Sequence, residues 1–225
     1  REKKIAQLNE FIARFSAGTR SSQVASRKKE VERLKTTELA KSNIQRPFIR
    51  FQMERPSGRH PLEVEHLTKS YEEGQAIIKN FTASISRGEK IAIIGRNGAG
   101  KTTLLRSLVK NAPGVTDAEF PLDNGKITWG HEVAVGYFAQ DHKESIPHGM
   151  TLLGFLHDFA PQAAQEELRG LLGQMLFSGE DATKKTDALS GGEAARLIFC
   201  RLMLQKPNVL VLDEPTNHLD IESII

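Results

Sequence analysis

With 225 residues, 39% of them hydrophobic, the chain has room for one compact α/β domain plus an extension. Its apolar runs, the clearest being Ile91 to Ile94 and Val209 to Leu212, fall far short of the ~20 residues a membrane span needs, so a soluble protein is expected. A single Cys200 excludes a disulfide framework or a thiolate metal site, and its leucine-rich surroundings predict a buried thiol, in keeping with a reducing cytoplasm. The chain opens on Arg1 with no charged-then-apolar leader and no methionine, and it reads as a fragment. The net charge of +3 divides unevenly: residues 1–60 carry 15 Lys+Arg against 6 Asp+Glu, whereas residues 61–225 carry 16 against 22. A basic arm on an acidic domain implies a polyanionic partner, with nucleic acid the leading candidate.

In chain order, Ile5, Leu8, Ile12 and Phe15 recur at spacings of three and four and predict an amphipathic helix. Ser16-Ala17-Gly18-Thr19 ends it in a turn. A second helix is expected from Ser21 or Ser22, with Val24, Val31 and Leu34 as its stripe and Arg27, Lys28, Lys29, Arg33 and Lys35 on its surface. Two helices and a short turn make a hairpin, with Arg20 at its tip. The prolines and Gly58 between Arg46-Pro47 and His60-Pro61 mark a connector that no continuous helix tolerates. The expected division is therefore a basic helical linker over 1–60 and a second domain over 61–225.

Leu62, Val64 and Leu67, then Phe81, Ala83 and Ile85, alternate as two early strands do. Ile91 to Ile94 predicts a short strand apolar on both faces, as inside a parallel sheet. Residues 151–205 predict helices, with Leu152, Leu153, Phe155 and Leu156, then Leu168, Leu171, Leu172 and Leu176, as apolar faces. A last strand is expected at Val209 to Leu212. Trp129 and most phenylalanines read as core.

Gly95-Arg96-Asn97-Gly98-Ala99-Gly100-Lys101-Thr102 fits G-x-x-x-x-G-K-[ST] between an expected strand and a helix. Its glycines let backbone N–H groups curl around phosphate oxygens at a helix N-terminus, so Gly95, Asn97, Gly98, Gly100, Lys101, Thr102 and Thr103 are the expected nucleotide-binding set. Lys101 is assigned to the β- and γ-phosphates and Thr102 to magnesium. Asp213 and Glu214 close the apolar strand Val209 to Leu212, at the strand end where open α/β sheets place ligand chemistry. Asp213 is expected on magnesium and Glu214 as the base for the attacking water. Leu189-Ser190-Gly191-Gly192-Glu193 opens a helix whose polar N-terminus can meet a phosphate, although a serine N-cap needs no ligand.

With these motifs the sequence resembles the ATP-binding cassette superfamily. The resemblance implies an α/β P-loop cassette with a mixed sheet core and a helical subdomain, preceded here by a basic helical hairpin. It assigns Ser190, Gly191, Gly192 and Glu193 to the signature that presses on ATP held by an opposing cassette, Tyr71 to adenine stacking, and Gln140 in Phe138-Ala139-Gln140-Asp141 to the loop near magnesium and water. Glu193 stands where transporter cassettes usually carry glutamine. The run Glu214-Pro215-Thr216-Asn217-His218-Leu219-Asp220 replaces their usual serine-containing loop, and Asp220 is its terminal aspartate.

Both departures resemble the ABC-F family: two cassettes in one chain, no membrane domain, and a charged linker that reaches transfer RNA in the ribosome. The likeness implies the end of that linker plus most of a second cassette, with ATP and Mg2+ as ligands. Expected partners are the ribosome, P-site tRNA and the first cassette of the same parent chain, with RNA contacts from Arg20, Arg27 and Lys28. The sequence stops before the strand and switch histidine of that family, and His218 is not that histidine, so weak activity is expected of the fragment alone. A transporter ATPase subunit and a non-hydrolysing nucleotide-dependent binding module remain the alternatives.

Overall fold

The computed structural model describes residues 2–15, 21–36, 46–72, 75–115 and 120–217. These form two compact units, 1–45 and 46–225.

In the first unit, α1 (Glu2–Phe15) and α2 (Ser21–Thr36) pack on each other. Leu8, Val24 and Val31 are buried, as one face of a 3.6-residue period requires. The Arg27 guanidinium lies 4.1 Å from the centroid of the Phe11 ring, a cation–π contact that ties one expected RNA contact to the packing of the hairpin. Arg20 lies outside the described residues.

Contacts divide the chain earlier than the composition does, at 45/46 rather than 60/61. In the 46–60 stretch the side chains of Ile49 and Phe51 pack against the helical core of the second unit, and the Phe48 N–H donates to the Gln174 carbonyl at 2.8 Å. The proline-rich connector is thus held on the second unit by its alternate apolar residues.

The second unit opens with β1 (Leu62–Glu72) and β2 (Gln75–Ile85), followed by α3 (Lys101–Lys110) and β3 (Asn124–Trp129). An antiparallel sheet is ordered β2-β1-β3. Its register, Leu62 opposite Ile85 and Trp129, Val64 opposite Ala83 and Ile127, puts the alternating apolar residues on one face. That face meets Leu104 and Leu108 of α3. Trp129 is partly buried and packs against this core, its indole N–H donating to the Leu108 carbonyl at 3.2 Å.

A second, parallel pair joins β4 (Val135–Phe138) to β5 (Val209–Leu212). Between them lie α4 (Leu152–Phe159), α5 (Gln165–Gln174) and α6 (Gly191–Gln205). Their apolar stripes, with Phe138 and Phe177, make the larger core, and Cys200 is buried within it. Burial pushes the Cys200 thiol well above its ordinary range, so it stays protonated and inert.

The expected strand at Ile91 to Ile94 is not realised. Residues 91–96 are in no ladder, and Ile94 is 92% exposed. An apolar segment buries both faces only between neighbouring strands, and among the described residues β2 and β3 pair with β1 while β5 pairs with β4. The P-loop therefore leads into α3 without a flanking strand of its own, and its Gly100 packs closely on Ile77 of β2.

Candidate nucleotide site

At the start of α3 the backbone does what the glycines permit. Gly98 and Gly100 have φ of 78° and 92°, the left-handed region that side chains rarely enter. A Cβ on Gly100 would also stand 2.6 Å from Cγ2 of Ile77. Gly100 is the N-cap of α3, so the loop ends where a helix presents unpaired N–H groups. The Lys101 ammonium donates to the carbonyls of Gly95 and Arg96 at 2.9 and 3.1 Å, which places it over the loop.

The other elements converge on this terminus. Parallel pairing of β4 with β5 sets Phe138 opposite Leu212, and the Asp213 N–H donates to the Phe138 carbonyl at 2.9 Å. The residues just past both strands, Gln140 and Glu214, are thereby brought side by side. Gln140 Nε2 donates to Glu214 Oε2 at 3.1 Å, and Thr102 Oγ1 donates to Gln140 Oε1 at 3.4 Å. The result is a cavity of about 430 Å³ lined by Asn97, Gly98, Gly100, Lys101, Thr102, Thr103, Gln140 and Glu214, with Ile77 as its apolar wall.

Asp213 is 2% exposed and its Oδ2 has no hydrogen-bond partner. Burial first, and the neighbouring Glu214 charge, push its carboxyl above the usual range, against the pull of Thr102. A buried unpaired carboxylate oxygen next to a threonine hydroxyl and an amide oxygen is an all-oxygen donor set, which fits a magnesium ion whose remaining ligands are phosphates and water. Glu214 has φ of 48°, a costly conformation for a side chain that is held only by its surroundings. The Asn217 amide holds its Oε2 from three residues on.

Tyr71 lies on β1, 58% exposed, with its hydroxyl 3.4 Å from Thr103 Oγ1. Ser190, Gly191, Gly192 and Glu193 stand apart from this cavity at the N-terminus of α6. There the Ser190 hydroxyl accepts from the Glu193 N–H at 3.2 Å and Glu193 Oε2 accepts from the Ser190 N–H at 2.8 Å, a capping box. Lys184 adds an ion pair to Glu193 Oε1 at 2.7 Å. Asp220 and His218 lie outside the described residues.

Three contributors were not assigned from the sequence. Ile77 is one of many alternating strand residues. Arg106 pairs with Asp141 at 2.7 Å, fastening α3 to the residue after Gln140, and Asn217 orients Glu214. Arg106 and Ile77 meet their partners across sequence gaps that no local spacing encodes. Asn217 could have been found from its place three residues after a candidate base.

The fold and site are those of a nucleotide-binding cassette. The family model described as ABC transporter matches residues 78–217, and a second with the same description matches residues 1–51. The chain belongs to the ABC transporter family of ATP-binding cassettes.

Its relatives include members of the F type. "Probable ATP-binding protein YbiT" of Escherichia coli O157:H7 is 40% identical over 98% of this chain and 40% of that protein. "ABC transporter F family member 5" of Arabidopsis thaliana is 37% identical over 99% of this chain and 31% of that protein. The chain thus spans well under half the length of these curated relatives. Among solved structures, the dimeric ATP-binding cassette MJ0796 in a post-hydrolysis state superposes with a TM-score of 0.57 at 20% identity, over 72% of this chain and 77% of that one, a likeness of fold. No helix among the described residues is long and apolar enough to cross a membrane.

Proposed function

We propose that this chain is an ATP-hydrolysing cassette of an F-type protein that works in the cytoplasm on the ribosome, its basic hairpin directed at P-site tRNA. The observation that carries the chemistry is the chain of contacts Thr102, Gln140, Glu214 beside the unpaired oxygen of Asp213. These four side chains come from three separate places in the sequence and meet at one helix terminus.

Gly98, Gly100 and the first N–H groups of α3 hold the phosphates of ATP, and Lys101 balances the β- and γ-phosphate charge. Thr102, Asp213 and Gln140 hold Mg2+. Bound there, Mg2+ supplies charge stabilisation for the leaving phosphate oxygens. Gln140 and Glu214 orient a water for in-line attack, and Glu214 takes its proton. Tyr71 takes the adenine. Ser190, Gly191, Gly192 and Glu193 form the signature that completes the ATP site of an opposing cassette, and Asp220 belongs to the loop between the two. The excess of cations in residues 1–60 supports an RNA partner, with Arg20, Arg27 and Lys28 as contacts.

Glu214→Gln in the full-length protein tests this reading. The amide keeps size and polarity but accepts no proton, so ATP binding is retained and turnover falls by roughly 10²-fold or more. The stalled protein then accumulates on ribosomes and arrests cell-free translation in an ATP-dependent way. Retention on membranes with normal protein synthesis indicates a transporter subunit instead. Unchanged behaviour in both places indicates a passive binding module.

A further inference from the structure

Beneath Tyr71 the structure holds a lysine that the phosphate chemistry does not use. Lys69, two residues earlier on β1, is 7% exposed, unusual for a side chain that normally keeps its ammonium in water. Its Nζ donates to the Pro121 carbonyl at 2.7 Å and lies 4.7 Å from the centroid of the Phe120 ring and 6.0 Å from that of Tyr71. The Phe120 and Tyr71 rings meet nearly edge-on, centroids 6.0 Å apart at 72°. The segment carrying Phe120 is pinned to the same strand by the Asp123 N–H, which donates to the Thr68 carbonyl at 3.1 Å.

These contacts make a three-part support. An ordinary half-exposed tyrosine samples several rotamers, and ordering it costs binding energy. Here the ring is held at one edge by Phe120, at its hydroxyl by Thr103, and from beneath by a buried cation. A cation near an aromatic ring is attracted by its π face, so the ammonium favours the arrangement in which both rings stay over it. Much of Tyr71 nevertheless remains open to a ligand.

We infer that Phe120 and Lys69 are positioning residues for nucleotide binding: they hold Tyr71 as a rigid platform for the base, so that the site reads the purine ring as well as the triphosphate. The inference rests on Tyr71 being the residue that takes adenine.

The test compares two ligands in the full-length protein, with any second cassette silenced at its own P-loop lysine: ATP, and inorganic tripolyphosphate, which has no base. Phe120→Leu keeps apolar bulk and removes the ring, and Lys69→Met keeps the stem and removes the charge. Each is expected to weaken ATP binding about five-fold while tripolyphosphate competes as in wild type. Phe120→Tyr is expected to retain wild-type affinity for both. Wild-type ATP affinity in Phe120→Leu overturns the proposal, as does an equal loss for the two ligands, which marks a general packing defect. Tyr71→Ala is measured alongside: if it binds ATP normally, the stacking role of Tyr71 fails and this proposal with it, while Lys101 and Thr102 keep theirs.

Discussion

Asp213, the proposed magnesium ligand, sits in the fold at a cost. Its carboxyl is buried with one oxygen unpaired, and burial raises its pKa above the unfolded value. A carboxyl raised in this way stabilises the fold below its unfolded pKa of about 3.9 and loses that contribution as pH rises through the folded value. At neutral pH the charged form is a standing cost. Asp213→Asn is therefore expected to raise the melting temperature at pH 7, with the gain disappearing below about pH 4, and to abolish the further rise that MgATP produces in wild type. Thermal melts at the two pH values, with and without MgATP, measure both effects. The left-handed φ of Glu214 belongs to the same pattern of local strain at the residues proposed to do the chemistry.

Among the elements, α6 shows how a helix end is fixed independently of any ligand. The Ser190–Glu193 capping box satisfies first-turn donors, and the Lys184 ammonium neutralises the remaining carboxylate oxygen. Burial alone would raise the Glu193 pKa, but the Lys184 bond and those from Ser190 outweigh it and hold the group below its usual range. A depressed carboxylate contributes stability above its unfolded pKa and loses it as pH falls through the folded one. Glu193→Gln preserves both capping bonds and is expected to flatten the acid limb of the stability profile. Ser190→Ala removes the cap and is expected to cost about 1 kcal/mol at every pH. Denaturant titrations between pH 3 and 7 separate the two variants.

At the scale of the whole molecule, charge is segregated: 15 Lys+Arg against 6 Asp+Glu over 1–60, and 16 against 22 over 61–225. The net charge of the acidic part opposes a large polyanion, so the basic arm carries that interaction under the proposed function. Reversing Arg20, Arg27 and Lys28 to glutamate is expected to weaken association with ribosomal particles and to make the salt dependence of log K shallower by about one unit per lost phosphate contact. ATP binding at the cassette should be unaffected. An unaltered salt slope would make the hairpin a spacer. Arg27 calls for a parallel measurement of helix content, because its contact with Phe11 also contributes to hairpin packing.

What the sequence determined by itself was everything written in local spacing. Glycines spaced at 95, 98 and 100 before Lys101, a serine three residues before Glu193, a carboxylate pair at the end of an apolar run and the two-residue alternation of β1 and β2 each depend on neighbours along the chain, so their structures could be read in order. The tertiary structure decided the rest. Whether an apolar run becomes a strand depends on what stands beside it, and Ile91 to Ile94, without a partner among the described residues, did not. The connector of residues 46–60 joined the second unit because Ile49 and Phe51 found the helical core, a contact invisible in its prolines. The meeting of Gln140 with Glu214, and of Lys69 with Phe120, was fixed by strand pairing and by burial, which act between residues that the chain keeps far apart.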